Sequence, residues 1–95
     1  MAKGYMIARI KVTDPEQFAA YARIAAVASQ NFGARSIVRG GRYETMEGDE
    51  RERNVVLEFD SFDKAREYYY SEAYQAAKKA RENACIAEFV IVEGV

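Results

Sequence analysis

Two arginines flank a glycine pair in Arg39-Gly40-Gly41-Arg42, and this segment carries the clearest chemical suggestion in the 95-residue chain. Glycines let backbone amides approach an anion closely, and two guanidiniums can clamp a carboxylate or phosphate. The segment lacks the strand-loop-helix setting of a nucleotide-binding glycine loop, so a structural bulge and a place beside a ligand both stand as readings. A second pair, Arg9 and Glu58, shares with Tyr5 and Val56 a strand parity that puts both charges on the sheet face away from the helices. Charges on a face that a partner covers must pair, here with one another across two copies, or line a wet cavity. The third group is aromatic. Tyr21, Tyr69 and Tyr74 fall on the inward faces of helices, flanked by Tyr68 and Tyr70. A phenol brings apolar area and one polar tip, so the inward tyrosines are either core residues with satisfied hydroxyls or, in the case of Tyr69 and Tyr74 with Phe18, the lining of a pocket between helices and sheet for an aromatic or acyl molecule. Should such a pocket catalyse a reaction unaided, a tyrosine or Glu58 is the candidate for proton transfer.

What is missing narrows the chemistry further. The chain has no histidine, which removes Ser-His-Asp and Cys-His pairs, histidine-ligated zinc or iron, and the usual proximal ligand of haem. No cofactor and no metal are implied by the residues. Asp49, Glu50 and Glu52 lack the spacing and glycine of a calcium loop and read as a solvated hairpin tip. Cys85, the lone cysteine, excludes an intrachain disulfide and reads as a small buried hydrophobe. With a net charge of −1, 49% hydrophobic and 31% charged residues, the composition is that of one soluble globular domain over residues 1–95. That balance exerts no overall pull on nucleic acid or an anionic membrane. The opening Met-Ala-Lys-Gly-Tyr is not a basic run leading into an unbroken apolar stretch, so neither a signal peptide nor a spanning helix is expected, and the cytoplasm is the expected compartment.

The elements that hold these groups follow from periodicity. From Gly4 to Val12 the residues alternate, Met6, Ala8, Ile10 and Val12 on one face and Tyr5, Ile7, Arg9 and Lys11 on the other, which is a strand with one dry face. Asp14-Pro15-Glu16-Gln17 starts a helix, with Asp14 as cap, Pro15 in the first helical position and Gln17 reaching back as a capping box. That helix is expected to run to about Phe32, stopped by Gly33, with Phe18, Tyr21, Ala25, Ala28 and Phe32 inward and Ile24 and Val27 widening the stripe. A second extended segment, Ala34 to Glu47, is expected to bulge at Gly40-Gly41, followed by a charged hairpin tip over Gly48 to Glu52. A third strand, Arg53 to Phe59, sets Val55, Leu57 and Phe59 against Asn54, Val56 and Glu58. Asp60 or Ser61 caps the next helix, and Ser71 ends it while capping another that carries Tyr74, Ala77 and Ala80 inward and Lys78, Lys79 and Arg81 outward. The last strand, about Ile86 to Val92, has large apolar residues on both faces, Phe89 and Ile91 against Val90 and Val92.

This βαββαβ order predicts an α+β, ferredoxin-like fold: a four-stranded antiparallel sheet with helices on one face. A solvated face would not hold Val90 and Val92, so a homodimer closed through the sheet face is expected. Gly4-Tyr5-Met6-Ile7-Ala8, Val38 to Arg42, Glu47-Gly48, Glu58-Phe59, Tyr69 to Gln75 and the closing Val90 to Gly94 together resemble the bacterial family catalogued as domain of unknown function 1330. The resemblance implies a dimeric α+β barrel, a superfamily whose members include cofactor-independent monooxygenases, haem-degrading enzymes and small isomerases. It implies no activity by itself. Two functional classes follow. One is a small-molecule binding protein, with an oxygenase-like or isomerase-like enzyme as its catalytic form, its ligand contacts drawn from Arg9, Arg39, Gly40, Gly41, Glu58, Tyr69 and Tyr74. The other is a structural or protein-interaction module without catalysis. RNA recognition fits poorly, because Arg53 to Phe59 lacks the glycine and paired aromatics that stack bases. A regulatory amino-acid-binding module also fits poorly, because Thr13-Asp14-Pro15 stands where glycine is wanted.

Overall fold

The computed structural model describes residues 2–95; Met1, the head of the segment read above for a leader, lies outside them. The elements in chain order are β1 (Gly4–Val12), α1 (Pro15–Asn31), β2 (Arg35–Arg39), β3 (Arg53–Phe59), α2 (Phe62–Tyr70), α3 (Glu72–Ala80) and β4 (Cys85–Glu93). The strands form one sheet in the order β2-β3-β1-β4, every neighbouring pair antiparallel. This is the expected ferredoxin-like arrangement.

Strand parity decides which residues meet the helices. On β1 the even-numbered Met6, Ala8 and Ile10 are buried, and their register partners Leu57, Val55, Ile91, Phe89 and Ala87 pack against the same core. The odd-numbered side chains Tyr5, Ile7 and Arg9 stand with Val56, Glu58, Glu88, Val90 and Val92 on the other face. Helix ends follow local chemistry. Asp14 accepts the Gln17 amide at 3.2 Å with Pro15 next to it, and Phe32 closes α1 before Gly33 turns left-handed at φ 73°. Ser71 serves two helices at once: its hydroxyl donates to the Tyr68 carbonyl at 2.7 Å and accepts the Tyr74 amide at 3.1 Å.

Several expectations are corrected. Gln17 does not reach back to Asp14; its side-chain amide donates to the Ala80 carbonyl at 3.0 Å and to that of Glu82, so it ties the start of α1 to the end of α3. The second strand stops at Arg39 rather than Glu47, and the bulge falls at Ile37, between Ser36 facing Leu57 and Val38 facing Val56. Gly40 instead takes φ 62° and turns the chain out of the sheet, pinned by its amide on the Asn54 carbonyl at 2.9 Å. Ile24 and Val27 do not widen the buried stripe, since Val27 is 61% exposed. Arg81 does not point outward. Its guanidinium lies 4.4 Å over the Phe89 ring, and its Nε is buried without an acceptor among the described residues.

The expected free hairpin tip is folded down onto the sheet. Arg51 reaches Glu88 with two bonds, Nε to Oε1 at 3.1 Å and Nη2 to Oε2 at 2.9 Å, and keeps only 10% of its side chain exposed. Arg9 donates to the Asp49 carbonyl at 2.8 Å, and Glu52 accepts the Val12 amide at 2.9 Å. Three anchors from β1 and β4 outweigh the solvation of a charged loop, because backbone groups and a forked guanidinium leave few polar atoms unsatisfied.

These pairs make the fold sensitive to acid. The Arg51 guanidinium holds the Glu88 carboxyl below the usual glutamate range, and Arg35 does the same to Glu58 and Asp60. On acidification the unfolded chain therefore takes up protons first. The stabilisation is full above the ordinary carboxyl range, about pH 4, and drains away as pH falls through the lower folded values. We expect the melting temperature to fall on going from pH 6 to pH 3. In Arg35→Met the part of that slope due to Glu58 and Asp60 should shrink, with the Tyr5 hydroxyl and Lys3 keeping a remainder, and thermal scans across this range check both.

Candidate ligand-binding site

α1 packs most closely on α3, while α2 sits on β1, β3 and β4; Phe18, Tyr21 and Ala28 carry α1 into the core, and a gap is left between the rest of its inner face and the β2–β3 side of the sheet. The gap is a cavity of about 380 Å³. Its floor is Met6, Ala8, Ile10, Val55 and Leu57, residues that strand parity turns toward the helices. Its roof is the inner face of α1, where Ala22, Ala25 and Ala26 leave room that larger side chains would fill. Phe18, Tyr21, Tyr68 and Phe89 supply aromatic walls. Ala34, Ser29, Gln30, Ser36, Arg39 and Arg53 complete the lining, the last five being its polar members beside the tyrosines.

The tyrosines are tied up in a fixed way. The Tyr21 and Tyr74 hydroxyls lie 3.0 Å apart, and Arg81 Nη2 donates to the Tyr74 hydroxyl at 3.5 Å. Tyr68 donates to the Ala25 carbonyl at 3.4 Å and is 1% exposed. Burial, with Tyr74 beside it, pushes the Tyr21 phenol far up, and burial does the same to Tyr68. Both present neutral rings to the cavity.

The residues proposed from sequence are divided among three places. Arg39 lines the cavity. Gly40 stands next to it against Arg53, whose Nη1 would lie 3.0 Å from a methyl group built on that glycine, and Gly41 has no side-chain neighbour within 4 Å. Tyr74 is buried behind the cavity and touches it through the Tyr21 hydroxyl, and Tyr69 packs on Tyr74 at 5.1 Å while lining a shallower groove with Phe62, Arg66, Tyr70 and Ile91. Arg9 and Glu58 are on the opposite sheet face, as parity requires, but they do not meet in the protomer: Arg9 lies 4.0 Å from Glu88, and Glu58 accepts from Arg35 at 2.8 Å and from the Tyr5 hydroxyl at 3.0 Å. Glu58 therefore has no access to the cavity from where it stands. Sequence reading missed Arg53, Tyr68 and the α1 alanines. The alanine run of α1 was the available signal, since small residues on a helix face that meets a sheet either bring the two together or leave a void. Among the described residues no cluster of His, Cys, Asp and Glu is placed to hold a metal ion, and no helix is long and apolar enough to cross a membrane.

Residues 3–95 match the family described as Domain of unknown function (DUF1330). The chain belongs to that family. Among solved structures, the DUF1330 chain is similar to a protein of unknown function from Rhodopseudomonas palustris, with a TM-score of 0.79 at 16% identity over 99% of this chain and 83% of the other. It is similar to a dimeric ferredoxin-like protein of unknown function from Thermobifida fusca, with a TM-score of 0.56 at 16% identity over 99% and 92%. It is also similar to SnoaB, a cofactor-independent oxygenase from Streptomyces nogalater, with a TM-score of 0.58 at 14% identity over 97% and 92%. At these identities the likeness establishes the fold of the DUF1330 chain and nothing about its chemistry. No curated protein matches it significantly.

Proposed function

We propose that two copies of this chain pair through their open sheet faces and that each holds a small aromatic or acyl-type molecule in the cavity under α1. The cavity carries this reading. Its volume falls in the range of small-molecule sites, roughly 300–1,000 Å³, and an apolar floor and roof are joined by two polar groups, Arg39 with Arg53 toward the Ile10 end and Ser29, Gln30 and Ser36 toward the other. A module serving only to dock other proteins has no use for a pocket reaching from the surface down to the buried Met6, Ala8 and Ile10.

The uncovered apolar side chains of the sheet support the pairing, with Val90 and Val92 exposed in the protomer, and one side of a standard interface takes about 800 Å². Ile7, Val56, Val90 and Val92 form its apolar centre on the open face, with the Thermobifida fusca dimer as a precedent of the same fold. We take residues 1–95 as one domain and the cytoplasm as its location, in keeping with a lone cysteine. An oxygenase-like or isomerase-like reaction in this cavity is the catalytic form of the same proposal, supported by fold alone.

Filling the cavity is the direct test. Ala22→Phe places a ring from the roof into the void, and it should reduce binding of a neutral naphthalene probe at least tenfold while the melting temperature is kept or raised. Unchanged probe affinity in a folded Ala22→Phe protein would place the binding site elsewhere.

A further inference from the structure

Five of the chain's nine arginines fall into two groups. Arg9, Arg35 and Arg51 each have a carboxylate within 4.0 Å, and all three serve the open face or its covering loop. Arg39 and Arg53 line the cavity, and no acidic residue shares that lining. Among the described residues neither has an ion-pair partner, and neither guanidinium donates to a protein acceptor. Arg53 is held half-buried, with its guanidinium 5.6 Å from the centre of the Phe18 ring and the bare backbone of Gly40 against it. Its position depends on that glycine, whose left-handed turn also ends β2 directly after Arg39. The chain thus brings two unneutralised forks, Arg53 half-buried and Arg39 exposed, to the Ile10 end of the cavity, while Ser29, Gln30 and Ser36 lie toward its other end.

Such an arrangement is poorly suited to a neutral hydrocarbon. A half-buried guanidinium without a counter-charge carries a desolvation cost that an anion entering the cavity would offset. A planar guanidinium fork matches the two oxygens of a carboxylate. We propose that the natural occupant is an amphipathic carboxylate, an aryl or acyl acid whose apolar body lies on Met6, Ala8, Val55 and Leu57 and whose anionic end is held by Arg39 and Arg53. This rests on the cavity being the binding site, and it names the substrate class. Arg39 and Arg53 then become the specificity-determining residues of the site, and the glycine between Arg39 and the loop is a support for Arg53 rather than an anion cradle of its own.

A matched pair of probes separates the two proposals. 2-Naphthoate and 2-naphthalenemethanol share an apolar body and differ in the charged end. Titration calorimetry on the full-length protein should show the carboxylate binding at least tenfold tighter than the alcohol, since charge-assisted pairs are the strong hydrogen bonds. The preference should weaken at high salt. In Arg39→Met/Arg53→Met it should fall to less than twofold, the carboxylate losing much more affinity than the alcohol, because methionine keeps the stem packing over Phe18 and removes the fork. Should the double variant fail to fold, each single variant should lose part of the preference. Equal affinity of wild-type protein for the two probes would overturn the carboxylate assignment and leave the cavity as the binding site. Failure of both probes to bind at millimolar concentration would overturn the cavity itself. A preference that persisted in the folded double variant would show that another group holds the anion.

Discussion

Val90→Asp should yield a folded monomer. Val90 stands on β4 opposite Ile7, on the sheet face that the helices leave open, and it is 52% exposed in the protomer. In a lone chain the new carboxylate is therefore solvated and the fold survives. In a sheet-to-sheet pair it is trapped among Ile7, Val92 and the same residues of the second copy, and Arg9 on that face is already held by the Asp49 carbonyl and Glu88. Breaking the balance of buried charge costs about 3–5 kcal/mol, and each 1.4 kcal/mol is a factor of ten, so the dissociation constant should rise by about two to three orders of magnitude. Sedimentation velocity at micromolar concentration reads this directly, with circular dichroism as the check on folding. A Val90→Asp protein that sedimented as a dimer with an unchanged dissociation constant would remove this face from the interface.

Gly4→Ala, by contrast, should damage the fold itself, although it adds a single methyl group to a strand. Gly4 is buried at the start of β1, and a Cβ built there would run into the Ser61 carbonyl and come within 2.6 Å of the Phe62 Cα. Both obstacles are backbone at the N-terminus of α2. They cannot retreat, because the Ser61 hydroxyl accepts the Lys64 amide at 3.0 Å and Phe59, two residues earlier, is fully buried. Overpacking of this kind costs about 3 kcal/mol, which for a domain of this size lowers the melting temperature by roughly 12–24 °C. Gly41→Ala is the control. No heavy atom lies within 4 Å of a Cβ there and no left-handed φ is required, so its melting temperature should stay within about 2 °C of the parent.

The sequence shows the element order, the faces of β1, β3 and β4 and the double role of Ser71 plainly, because each rests on a local rule: alternation along a strand, or a hydroxyl beside free amides. Tyr68 was harder. From Ala65 the positions three and four residues ahead, Tyr68 and Tyr69, both lean inward, and in a nine-residue helix periodicity does not choose between them. Packing does: Tyr68 stacks on Phe32, Phe59 and Tyr74, and Tyr69 is left at the α2–β4 edge. Arg51 was misread for a different reason. Its acid partner is 37 residues away, and no local pattern announces that a charged loop will fold back across a sheet to reach Glu88. The cavity was anticipated as a pocket between helices and sheet with Phe18 in it, but the choice of arginine partners depends on where the chain leaves β2, which the misplaced bulge concealed.

Because α1 packs most closely on α3 and is tied to its end by Gln17, the height of the chamber depends on a helix that the sheet beneath it touches through few side chains, so a change at the α1–α3 seam would be felt in the space above the strands.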